Sequence, residues 1–179
     1  MAVIDVYVID DTRFDLPTIL DKAFTSNDVG IKSIADMADK LATLCSNGDR
    51  IAMLTIVGHG NESGQSIGSD RLTLSSLPTH LPQLARMTPL FNHAGGAGKR
   101  AEVIMGGCRL GRNSPLLLAL SKVWNVPVSG FTALQKGGLS HRGGRTTCYI
   151  TCLHRGRTTA DSVDEAEMRI REWVRRYLQ

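Results

Sequence analysis

IAMLTIVGHG, residues 51–60, is the stretch on which the fold turns. Ile51–Val57 is a nearly continuous apolar run of strand length, the pattern of a central strand covered on both faces, and it stops at Gly58-His59-Gly60. A second stretch repeats the arrangement: Ala101–Met105 is expected to be the next buried strand and runs into Gly106-Gly107-Cys108. Working outward, Val3–Ile9 (VIDVYVI) is β-branched and aromatic and ends at Asp10-Asp11, which predicts a first strand. Ile31, Ile34, Ala35, Ala38, Leu41, Ala42 and Cys45 recur at helical spacing and stop at Asn47-Gly48.

Gln65–Leu74 predicts a small hairpin, and Leu77, Leu81, Leu84 and Phe91 a helix disturbed by Pro82 and Pro89. Ser114 followed by Pro115 predicts an N-cap with proline at the first helical position, hence a helix over Leu116–Trp124. Val126–Phe131 is expected to return as a strand, and Thr147–Leu153 alternates like another. Gly95, Gly96 and Gly98 mark a loop, and residues 137–145 are glycine-rich and basic. Ser162 and Glu165 form a capping box that opens a last helix with Val163, Ala166, Ile170, Trp173, Val174 and Tyr177 inward. Strands alternating with helices define an α/β layered fold with a mostly parallel central sheet flanked by helices.

The chain has 179 residues and 42% hydrophobic content, enough for one well-filled core, so residues 1–179 are expected to form a single domain. No apolar run reaches the roughly 18 residues of a membrane span, and the start MAVIDVYVIDD carries acid where a signal peptide carries base. No membrane association is expected, and the location is expected to be cytoplasmic, or a cytosol into which the protein is delivered. Cys45, Cys108, Cys148 and Cys152 are scattered through core-like segments, which fits a reducing compartment. Cys148 and Cys152 make a poor zinc pattern without a second pair, so no metal is expected. His80, His93 and His154 belong to no such grouping.

The formal charge of +4 is uneven: residues 1–39 hold eight Asp and three basic side chains, whereas Lys136, Arg142, Arg145, Arg155 and Arg157 fall in a stretch, 136–160, without acid. That stretch is read either as a solvated flap or as an anion-binding segment. Nucleic acid is a poor fit, because Tyr149 is its only aromatic side chain.

In an open parallel sheet, ligands gather beyond the carboxyl ends of the strands. His59 and Cys108 each follow such an end and lie 49 positions apart, room for a crossover between parallel neighbours. A free thiol is mostly protonated at neutral pH, and an imidazole beside it can take the proton. The pair is therefore the candidate catalytic centre, with the backbone N–H groups of Gly60 and Cys108 as candidate oxyanion donors.

LTIVGHG (Leu54–Gly60) followed by a hairpin, and VIMGGCRLG (Val103–Gly111) followed by a helix and VPVSGF (Val126–Phe131), resemble the caspase–hemoglobinase fold of clan CD cysteine peptidases. The similarity is to the bacterial branches: the self-cleaving cysteine protease domain of large clostridial and MARTX toxins, and the CHAT-type GHG…GC domains. It covers residues 50–135 well. The resemblance implies a Cys-His dyad endopeptidase acting on a polypeptide, with His59 and Cys108 in the dyad positions and no obligatory cofactor. It also implies a specificity pocket at Asp10, Asp11, Gly106, Ser129 and Gly130, whose acidic floor would favour a basic residue before the scissile bond. An inositol phosphate-like polyphosphate is the activator that the toxin branch implies for the basic stretch. The departure from the family is Gly106, where the caspase and legumain branches carry a polar or charged side chain, so cleavage after Asp or Asn is not implied.

Two other readings compete. Gly-Gly-Cys-Arg-Leu-Gly also resembles the nucleophile elbow of an α/β-hydrolase, with Leu110 in place of the second glycine and a base expected at His141 or His154. The third is a caspase-like interaction or regulatory module whose dyad is inactive.

Overall fold

The computed structural model describes residues 2–12, 28–94 and 101–132, and the backbone of 145–148. The expected loop at Gly95–Gly98 and the last helix lie outside the described residues.

The expected strands become β1 (Val3–Asp10), β3 (Arg50–Val57), β7 (Glu102–Met105) and β8 (Val128–Phe131). With β2 (Asp28–Ile31) and β9 (Arg145–Cys148) they form one sheet in the order β2-β1-β3-β7-β8-β9. The first five run parallel, and β9 pairs antiparallel with β8. This is a layered α/β fold with a mostly parallel central sheet flanked by helices.

Three helices line up in succession: α1 (Ile34–Leu44) packs against α2 (Leu77–Arg86), and α2 against α3 (Ser114–Trp124). Alternate strand residues Val6, Val8, Leu54, Ile56, Val103, Met105 and Val128 share one buried core with Met37, Leu41, Leu84, Leu117 and Trp124 from these helices. The Trp124 indole lies 6.0 Å from the Phe91 ring between centroids and donates its Nε1–H to the Leu84 carbonyl, at the end of α2.

Four expectations are corrected. Ile31 closes β2 instead of opening a helix: Asp28–Ile31 pairs with Tyr7–Asp10, and α1 starts only after Ser33. Phe91 is not helical, because α2 ends at Arg86 and the 3-10 turn Thr88–Leu90 intervenes before Phe91 bridges to Ile51. The N-cap of α3 is Asn113, whose side-chain oxygen accepts the Leu116 N–H, and Ser114 is the first helical residue. The last described strand begins at Arg145, two residues before the expected Thr147; the rest of the expected strand, past Cys148, lies outside the described residues.

The predicted hairpin is present and gains a strand. β4 (Gly60–Asn61), β5 (Gly64–Ile67) and β6 (Asp70–Thr73) form a separate antiparallel sheet, with β5 in the centre. It is tied to the start of α1, since Asp70 Oδ2 accepts the Ile34 N–H and the Lys32 carbonyl accepts the Ser69 N–H. Ser33 caps the same end by accepting the Asp36 N–H at 3.0 Å, while Asp36 reaches back to accept the Lys32 N–H at 2.8 Å.

Burial alone would raise the Asp36 carboxyl, but the Lys32 N–H, the Lys40 hydrogen bond and the charges of both lysines hold it below its ordinary value. Ser33→Ala is expected to cost about 1 kcal/mol in urea unfolding. Because the folded value of Asp36 is the lower one, its contribution is complete above the unfolded carboxylate value of about 4 and fades as pH falls through the folded value. The Asp36→Asn variant should therefore lose stability relative to wild type at pH 6 and converge with it in acid.

Candidate functional site

β3 and β7 are direct neighbours, and their register aligns Ile56 with Met105. His59 and Cys108 each stand three residues beyond that pair, so they occupy equivalent positions past the carboxyl edge of the sheet. The connecting turns touch through their backbones. A Cβ placed on Gly60 would lie 2.7 Å from Gly107 Cα and 3.3 Å from Cys108 N, distances that only glycine accommodates. Of the candidate pair, His59 is exposed and Cys108 half-buried.

The carbonyl of Ile56 holds this corner together. It accepts the Gly106 N–H at 2.8 Å, which carries the β3–β7 pairing one residue past the strand, and the Gln65 side-chain amide at 2.8 Å. The other end of the same amide, Gln65 Oε1, accepts the Gly107 N–H at 2.9 Å. Gln65 is fully buried at the centre of the small sheet. A backbone carbonyl only accepts and a backbone N–H only donates, so the two partners fix which end of the amide is which.

The turn after Cys108 is equally constrained. Arg109 adopts a left-handed conformation (φ 57°), and the Gly107 carbonyl accepts the Leu110 N–H at 3.4 Å as the 3-10 turn Leu110–Arg112 begins. In a trans peptide the N–H points opposite to the carbonyl, so the Cys108 N–H faces away from that turn. The strained residue is thus the one after the cysteine. Arg112 fastens the rim by donating to Glu62 at 2.8 Å and to the Thr132 carbonyl at 2.9 Å, linking the small sheet to the end of β8.

The five candidate pocket residues have different surroundings. Asp10 stands one position past the Ile9–Val57 pair, beside the turn that carries His59. Asp10 is 3% exposed; Oδ1 accepts the N–H and hydroxyl of Thr12, and Oδ2 is buried with no hydrogen-bond partner among the described residues. Asp11 turns the other way, its carboxylate lying over Gly30 of the edge strand β2. Gly106 is packed against the Ile56 carbonyl, and Gly130 against the backbone of Gly111. The Ser129 hydroxyl is fully buried and donates to Glu102 Oε1 at 2.6 Å, back toward the start of β7.

Of the basic stretch, Lys136, Arg142, Arg155 and Arg157 lie outside the described residues, and Arg145 is described only as the first backbone position of β9. His141 and His154 also lie outside. Among the described residues, no group of three or more His, Cys, Asp or Glu stands together as a metal site, and no helix is long and apolar enough to cross a membrane.

Gln65 is the site residue that the sequence did not announce. A lone Gln at the start of a predicted hairpin looks like a solvated turn residue, and its burial arises only when the hairpin folds onto the strand ends.

No protein-family model, curated protein or solved structure matches this chain. The fold and the site therefore define only a class: a mostly parallel α/β protein that presents a histidine and a cysteine on adjacent turns.

The backbone contact makes Gly60→Ala an informative change. It should lower stability by about 1–3 kcal/mol, as overpacking does, and slow the reaction of Cys108 with iodoacetamide because the two turns must separate. Chemical unfolding and peptide-resolved mass spectrometry read the two effects separately.

Proposed function

We propose that this chain is a cysteine endopeptidase of the caspase-like type, in which His59 is the general base and Cys108 the nucleophile. The observation that carries the reading is the equivalent placement of the two residues, three positions past the paired residues Ile56 and Met105 of adjacent parallel strands. Nucleophile and base from neighbouring strand ends open into one crevice, where a peptide can reach both.

In the reaction, His59 takes the Cys108 proton and the sulfur attacks the scissile carbonyl carbon. A C–S bond forms, and the C–N bond breaks as the imidazolium returns its proton to the leaving amine. Water then hydrolyses the thioester, releasing the acid and restoring the thiol. The Cys108 N–H, facing away from the 3-10 turn, suits an oxyanion donor, with the Gly60 N–H as the candidate second.

The buried carboxylate of Asp10, with one oxygen unpartnered among the described residues, supports a basic residue before the scissile bond. Asp11 does not share that role, since its carboxylate lies over Gly30.

Cys45 provides an internal reference for the thiol. Burial pushes its thiol up, the Arg50 charge only partly opposing this, so it should react slowly. At neutral pH iodoacetamide is expected to label Cys108 faster than Cys45, and His59→Ala to slow the labelling of Cys108 about tenfold. Slow labelling that His59→Ala leaves unchanged would sink the dyad and favour a scaffold retained for interaction. Loss of activity in His141→Ala or His154→Ala, with His59→Ala active, would instead favour the hydrolase reading.

On a peptide library, Cys108→Ala should abolish cleavage. Asp10→Asn should lower kcat/KM for Lys or Arg before the scissile bond by about 10- to 100-fold, the worth of one charge-assisted hydrogen bond. Equal cleavage after basic and neutral residues in wild type would refute the assignment of Asp10.

A further inference from the structure

We propose that Gln65 is the positioning residue of the site: its side-chain amide clamps the cysteine turn to β3 and so sets where Cys108 stands relative to His59. The inference rests on the reading of His59 and Cys108 as a dyad.

A fully buried glutamine needs partners for its amide, and here each end has a backbone partner at the reactive corner: Ile56 O at 2.8 Å and Gly107 N at 2.9 Å. Those partners belong to two different strand ends. Ile56 lies three residues before His59, and Gly107 immediately precedes Cys108. One planar amide therefore fixes the separation of the two turns. With the Gly107 N–H held by Gln65 and the Gly107 carbonyl held by Leu110 N–H, the chain entering Cys108 is pinned on both sides.

The position of Gln65 is itself over-determined. Its strand β5 lies between β4 and β6, in register with Gly60 on one side and Leu72 on the other. The small sheet thus acts as a brace whose inner face carries this side chain. A purely structural glutamine would contribute to stability wherever its hydrogen bonds fell, but this one spans the two turns whose relation the chemistry depends on. Gln65 touches no reacting atom, and its effect on reaction passes through Cys108.

The test combines Gln65→Met, which keeps the length of the side chain and removes both hydrogen bonds, with His59→Ala. Iodoacetamide alkylation, in which the C–S bond forms as iodide leaves, is followed at Cys108 at neutral pH. Gln65→Met is expected to slow it about tenfold, as losing the histidine does, because the turn that carries Cys108 is no longer held to β3. In the His59→Ala background Gln65→Met should change nothing further, the non-additivity of two residues acting through one contact. Additive losses, or a wild-type rate in folded Gln65→Met, overturn the proposal while leaving the dyad standing. A wild-type rate in His59→Ala overturns the dyad itself.

Amide hydrogen exchange reads the clamp without any reaction. The Gly107 N–H should be protected in wild type and lose protection in Gln65→Met, while the Leu54 and Val103 amides of the sheet keep theirs. If Gln65→Met does not fold, the wild-type measurement still decides, since rapid exchange at Gly107 would show that no such clamp exists.

Discussion

The carbonyl oxygen of Ile56 receives two donors, the Gly106 N–H and the Gln65 amide, and the rest of the site depends on that shared acceptor. The first bond prolongs the pairing of β3 and β7 beyond the strands proper. The second brings the small antiparallel sheet down onto the edge of the large one. Together they bring the turn bearing His59 and the turn bearing Cys108 into backbone contact, which is sterically open only because Gly60 and Gly107 carry no side chain.

That corner is built from weak local preferences made firm by tertiary support. An isolated turn of two glycines and a cysteine would sample many conformations, and ordering it costs entropy at each residue. Here hydrogen bonds from Gln65 and Leu110, close packing against β3 and the Glu62–Arg112 ion pair on the rim constrain it from several directions. The ion pair is exposed and contributes little energy by itself. Its place is geometric, since Arg112 also reaches the Thr132 carbonyl and so joins the small sheet to the end of β8.

The strands β1, β3 and β7 were legible because each is a largely apolar stretch of strand length that stops at glycine or acid, and because buried parallel strands need little alternation to be recognised. β2 was not: Asp28-Val-Gly-Ile is four residues long, and its last residue fits the periodicity of the helix that follows. The α3 cap was misplaced by one residue because Asn113 and Ser114 are both good capping types, and only the observed bond from Leu116 N–H decides between them. The resemblance grouped Asp10 and Asp11 in one pocket; successive strand-end residues point to opposite sides, so one carboxylate is buried against Thr12 and the other lies over the edge strand.

By itself the sequence determined the fold class and the order of the larger strands and helices, because hydrophobic periodicity and strand-terminating glycines are local signals. It also singled out His59 and Cys108, since each is the chemically able residue following a buried strand. Only the tertiary structure decided that β3 and β7 are neighbours in a register that makes the two positions equivalent. Only the tertiary structure found Gln65, because a buried amide is defined by what closes over it and by the donors and acceptors it meets there, and those come from segments distant in the chain.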